Sequence, residues 1–242
     1  MIEHEQKIIT INGIEDGTRP NQSRPLSFKT LAQPLVDLYH YRELIRNLVV
    51  RDLKIRYKNS LLGVLWSLMN PLLMMIVFTV VFTVMAPVRS ASLQNFPAFV
   101  LCGLLPWNFF HASVMGSTVS IIGNAPLLKK VYFPREVLPI SLVLANLVNF
   151  LISLTVLFVI IFLYQIPLTF WAFYLPVIIL IQVIFTLGIG LLLCTINVFY
   201  RDIQQVLDVV LLAWFFVTPI FYPLNILPRN YDVFGVTLDV WR

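Results

Sequence analysis

The sequence predicts an all-α integral membrane protein, in which an N-terminal amphipathic interface helix leads into a bundle of five to six transmembrane helices and the N-terminus is cytoplasmic. Three observations predict it. Apolar residues make up 59% of the chain and charged residues only 12%, against roughly 25% charged in ordinary soluble domains. The charges are gathered into short segments separated by apolar runs of spanning length. Basic residues also accumulate directly before the first such run, which marks that end as cytoplasmic. With most of the 242 residues used by spans, no sizeable soluble domain fits, and the net charge of +5 is read by position rather than as a nucleic-acid signal. Cys102 and Cys194 lie in apolar runs, match no metal spacing and read as small packing residues. The first long apolar run begins only at Leu61, too late for a secretory signal peptide, so a retained N-terminus is expected.

Taken in order, residues 1–33 mix acids, glycines, prolines, Asn and Ser without apolar periodicity and read as a flexible cytoplasmic tail. Residues 34–60 read as the interface helix, opened by Pro34 with Asp37 in its first turn. At about 100° per residue, Leu38, Tyr41, Leu44, Ile45, Leu48, Val49 and Ile55 share one face, while Arg42, Arg46, Asn47, Lys54 and Lys58 point elsewhere. That is a helix lying along a surface. Asp52 and Arg56 fall on its apolar side at the i, i+4 spacing of an ion pair, either solvated at a frayed end or set against another helix.

The transmembrane domain is expected over 61–228, with spans at about 61–86, 96–123, 138–164, 171–198 and 209–228. The uncharged first run would be about 39 Å long as a helix, more than the roughly 30 Å it must cross. Pro71 should kink it by removing a bond to the carbonyl of Ser67. In the second span a proline, two polar side chains and three aromatics stand together at Pro106-Trp-Asn-Phe-Phe-His111, so that face should look into protein or a cavity. His111 reads as a donor to a neighbouring helix. Residues 124–139 form an inner loop cut by prolines into a short isolated helix around Lys129 to Glu136, Gln165-Ile-Pro167 a tight outer hairpin, and residues 199–208 a second inner loop. Gly188 and Gly190 would allow close helix approach. Only Arg89, Arg229 and Arg242 fall on outer segments, as the positive-inside rule requires.

Several function classes are excluded. None of the nine glycines is followed by lysine, so the chain holds no phosphate-binding loop of the ATPase kind and hydrolyses no nucleotide itself. The spans hold no carboxylate, which argues against a proton- or sodium-coupled carrier. No catalytic or metal-ligating constellation emerges and no cofactor is expected; energy must come from a partner.

The run from Leu44 to Pro71 (LIRNLVVRDLKIRYKNSLLGVLWSLMNP) resembles the leading helix and first span of type-2 ABC exporter permeases of the polysaccharide branch. So do Gly103-Leu-Leu-Pro-Trp-Asn-Phe-Phe, Leu127-Leu-Lys-Lys-Val-Tyr-Phe-Pro-Arg-Glu-Val-Leu-Pro, Tyr200-Arg-Asp-Ile and Pro219-Ile-Phe-Tyr-Pro, in the same order over roughly Tyr39 to Pro228. The resemblance implies a homodimer bound to two separate ATP-binding subunits. It implies export of a lipid-linked O-antigen, teichoic acid or capsule-like polymer across the plasma membrane. Leu127 to Glu136 would be the coupling helix, with Lys129, Lys130, Phe133, Arg135 and Glu136 at the ATPase. Family members continue past the position of Pro228 with outer re-entrant helices and a sixth span. Residues 229–242 are too short and polar to span, so the expected last span is missing, as in a truncated product or one that dispenses with it. An exporter of a drug or small lipid, and a non-transporting membrane component, are the alternatives.

Two further sets are candidates. Arg51, Lys54, Arg56 and Lys58 would attract the diphosphate of a lipid-linked polymer, or else serve as general lipid anchors. Trp107, Phe110, Phe216 and Tyr222 would line a polysaccharide conduit, against the ordinary reading of such rings as interfacial belts. Consecutive rings must splay around a helix, which turns some of them toward the bundle.

Overall fold

The computed structural model describes residues 41–58, 65–84, 95–131, 133–167, 170–220, 230–233 and 236–239. The predicted tail over 1–33, the start of the interface helix before Tyr41, and Tyr222 lie outside them.

Helix α1 (Arg42–Tyr57) carries Glu43 in its first turn and Lys54 and Arg56 in its last, the polarity its dipole favours. Ile45 and Leu48 are buried as the periodicity expects, but Ile55 is exposed. The helix does not simply lie along a surface. It packs against the first half of a long helix, α5 (Val137–Leu163), and its last turn meets α5 some three turns in.

Helix α2 (Leu65–Val84) runs through Pro71 without interruption. Helix α3 (Phe96–Gly123) coincides with the second expected span. The short inner helix is displaced from its predicted place: α4 is Ala125–Lys130, Val131 is extended, and Arg135 and Glu136 form the turn before α5. The cause is local. Pro126 can open a helix, whereas Pro134 lacks an N–H and disfavours helical geometry in the residue before it.

A 3-10 turn (Phe170–Tyr174) leads into α6 (Leu175–Phe199), and α7 (Ile203–Val217) follows. Helix α7 begins six residues earlier than the fifth expected span, taking in residues 203–208 from the predicted inner loop. Asp202 stands at its N-cap, Gln204 and Gln205 are good helix formers, and Pro219 follows just beyond its end. Among the described residues, α3, α5 and the stretch Ala172–Phe199 are long and apolar enough to cross a membrane, with α7 and the Leu68–Val84 part of α2 shorter. The polar tail adds one non-helical element: β1 (Asn230–Val233) pairs antiparallel with β2 (Val236–Asp239), Tyr231 opposite Leu238.

Helix α3 is the centre of the bundle, touched by α2, α5, α6 and α7. Leu101, Leu105 and Phe109 pack on Val143, Phe150 and Leu154 of α5. On α3's next face Ser113, Ser117 and Ser120 are buried, and small side chains let α6 come close. A Cβ at Gly190 would stand 3.0 Å from that of Ser117, whereas one at Gly188 would meet nothing within 4 Å, so only Gly190 serves the expected close approach. Asn197 Nδ2 donates to the Thr118 carbonyl at 2.9 Å and Gln182 Nε2 to the Pro106 carbonyl at 2.8 Å, holding α6 to α3 at both ends. The reversal after α5 is sharp. Gln165 has φ 52°, its N–H reaches the Phe162 carbonyl, and that of Ile166 reaches the Ile161 carbonyl. This is the left-handed helix stop that glycine usually occupies.

Candidate functional site

The four cations proposed for headgroup capture divide between two spaces, Arg51, Lys54 and Lys58 along one groove and Arg56 in a pocket beside it. Arg51 bridges Asp52 at 2.8 Å and donates to Asn124 Oδ1 at 3.3 Å, at the junction of α3 and α4. Arg56 turns away from Asp52 and donates to Asn146 Oδ1 of α5 at 2.9 Å. The expected Asp52–Arg56 pair is thus replaced, because each partner meets a better-placed group. Lys54 and Lys58 remain exposed along a groove whose other wall is Val148 and Ile152 of α5.

Beside that groove lies a pocket of about 300 Å³ between α1, α2, α3 and α5, walled by Trp66, Pro71, Leu105, Phe109 and Phe150 as well as by polar side chains. Arg56 and Tyr57 stand on one side, Asn70 and Asn108 come from α2 and α3, and Asn146, Asn149 and Ser153 come from α5. Asn146 is 2% exposed. The Tyr57 hydroxyl donates to Asn149 Oδ1. Among the described residues, Asn146 Nδ2 and Asn149 Nδ2 have no hydrogen-bond partner. The sequence reading missed these asparagines of α5. Their signal was present: Asn146, Asn149 and Ser153 recur at i, i+3 and i+7 in a run without charge, which places them on one helix face.

At the α4 end, Lys129, Lys130, Arg135 and Glu136 are exposed, the lysines in the last turn of α4 and the other two in the turn before α5. Phe133 is different: at 7% exposed its ring is buried in the chain's own fold. Lys129 and Arg135 share a cleft of about 430 Å³ with Arg201, which the sequence reading left in a separate loop. Three cations and no acid line it.

The aromatic candidates divide. Trp107 and Phe110 line a cavity of about 280 Å³ with Gln182, Phe185 and Trp214. Phe110 is buried, stacked on Phe185 at 5.8 Å and edge-on to Trp214 at 5.3 Å. Phe216 is 65% exposed and touches Phe215. The His111 ring lies 6.5 Å from that of Trp107 on its own helix.

The family model for the ABC-2 type transporter matches residues 43–234, from the start of α1 into the polar tail. The chain belongs to this family. It is similar to an O-antigen export system permease protein of Myxococcus xanthus, 44% identical over 78% of this chain and 72% of that one. An O-antigen export system permease protein of Klebsiella pneumoniae is 37% identical over 75% of this chain and 70% of its own. A polysialic acid transport protein of Escherichia coli is 25% identical over 77% of this chain and 72% of its own. As an ABC-2 transporter this chain is an integral membrane permease. Its exposed apolar residues on α2, α6 and α7, such as Ile76, Ile181 and Val209, are surfaces for lipid or protein.

Proposed function

We propose that this chain is the permease of an ATP-driven exporter that carries a lipid-linked polysaccharide, such as an O-antigen or capsule-like polymer, across the plasma membrane. The observation that carries this reading is the 44% identity with an O-antigen export permease over nearly four fifths of the chain. The permease acts as one of two copies, each served by a separate ATP-binding subunit, with its N-terminus in the cytoplasm. The gathering of Lys129, Lys130, Arg135, Glu136 and Arg201 at one end of the bundle supports that end as the inner one and as the place where the ATPase docks. Phe133, from inside, ties this loop to the bundle. Arg51, Lys54, Arg56 and Lys58 draw the anionic headgroup to α1, with Arg56 turned inward and Arg51 partly neutralised by Asp52. The rings around Trp107 and Phe110, with Phe216 on the open face, are the candidates for the polymer's path.

The test is export itself. In cells lacking their own polymer permease, this chain co-expressed with its ATP-binding subunit should place polymer on the cell surface. Exchanging Arg135 and Glu136 should abolish that export while the chain still inserts. Failure of the unaltered pair to export any polymer, with ATPase turnover indifferent to the permease, would refute the reading.

A further inference from the structure

We propose that the pocket formed by Arg56, Asn70, Asn108, Asn146 and Asn149 is a phosphate-binding site for a lipid headgroup. The phosphate chemistry stands on the pocket itself. Only the choice of a diphosphate-linked carrier as its natural ligand rests on the export reading above.

The argument is a count of donors and acceptors. A guanidinium donates and never accepts, so the bond from Arg56 fixes the Asn146 carboxamide with Oδ1 toward the arginine. Its Nδ2 is left as a buried donor with no partner among the described residues. Such a group bears the full cost of lost hydration unless something accepts from it. The Asn149 oxygen is met by the Tyr57 hydroxyl, and its nitrogen has no partner among the described residues. Asn70 and Asn108 add carboxamides from the facing helices, and no acid lines the pocket. One fixed positive charge beside surplus N–H donors suits an oxyanion, whose oxygens only accept. A neutral sugar hydroxyl would not balance the Arg56 charge. A metal cation is opposed by Arg56.

Position distinguishes a lipid phosphate from a free one. Asn146 lies about 14 Å along α5 from its first residue, at 1.5 Å per residue. The groove on the other side of Tyr57 offers Val50, Ile55, Val148 and Ile152 to a hydrocarbon chain, with Lys54 and Lys58 for a second anionic group. Tyr57 lines both spaces, so a phosphate in the pocket and an alkyl chain in the groove meet across one residue.

The test measures binding of farnesyl diphosphate, dioctanoyl phosphatidylglycerol and inorganic pyrophosphate to the full chain in zwitterionic nanodiscs. Asn146→Asp supplies a carboxylate that still accepts from Arg56, preserving the contact between helices while filling the anion's place. It should weaken farnesyl diphosphate binding by about tenfold or more, as should Arg56→Gln, since a charge-assisted bond is lost in each. Lys54→Gln, at the groove, should cost less than about threefold, the scale of a solvated charge. Inorganic pyrophosphate should bind far more weakly than the lipid. An equal, Asn146-dependent loss for phosphatidylglycerol would support the site while assigning it to lipid phosphate in general. Unchanged binding in both Asn146→Asp and Asn146→Leu would overturn it. The export assay is independent. Asn146-dependent binding without export would reject the export reading alone, and export by a chain whose binding ignores Asn146 would reject this site alone.

Discussion

Four consecutive residues of α3 face two different worlds. Asn108 and Phe109 look toward the polar pocket beside α1 and α5, and Trp107 and Phe110 look toward the aromatic cavity beside α6 and α7. The aromatic side is built from ring contacts: Phe110 on Phe185 and Trp214, and Trp107 on Phe215 at 5.4 Å. Such packing is gained on folding. The polar side holds carboxamide nitrogens without partners, a cost that stability alone does not explain. One side of α3 is thus packed ring against ring, and the other lines the pocket proposed above to bind phosphate.

Substitutions can break that contrast. The largest effect is expected from Phe110→Ala, which removes a buried ring with three aromatic neighbours, Trp107, Phe185 and Trp214, and should cost about 3 kcal/mol or more, read from reversible unfolding in mixed micelles. Gly190→Val comes next: a side chain there runs into Ser117, and overpacking of this kind should cost about 1–3 kcal/mol and loosen α6 from α3. Arg56→Gln should change stability by only about 1 kcal/mol, because its contact is a single bond from an exposed side chain, yet export should fall. Were it as destabilising as Phe110→Ala, the polar side would be structural and the contrast would fail. Asp52→Asn loses a partly exposed ion pair and should cost no more than about 1 kcal/mol. Phe216→Ala, at an exposed position, should stay within about 0.5 kcal/mol, so any loss of export it causes would report on the path rather than the fold.

The extent to which the fold could be read from sequence followed the strength of the signal. Long uncharged runs locate α3 and α5 to within a residue, since hydrophobic length is the whole constraint on a span. Local chemistry was harder to read. The inner helix fell upstream of its expected place because Pro126 and Pro134 act oppositely, one opening a helix and the other preventing one. Helix α7 began early because its polar first turns resemble a loop until they have a neighbour. The site was least legible of all. Arg51 and Arg56 are both basic residues in the last half of one helix, and their distant partners, Asn124 and Asn146, separate a paired charge from one that reaches inward. Partners 73 and 90 residues away leave no trace in local periodicity.

The left-handed Gln165 bears on how the protein is made. A reversal completed between Tyr164 and Tyr174 leaves α5 and α6 too little chain to be threaded separately, so as translation proceeds they must enter the bilayer as a pair. Because each crosses in the opposite sense to the other, their joint insertion returns the chain to the side from which α5 set out, where Arg201 then resides. The tightness of one turn thereby fixes the sidedness of everything translated after it. A substitution that opened this turn would be expected to appear first as chains with mixed topology, before any fault in transport could be measured.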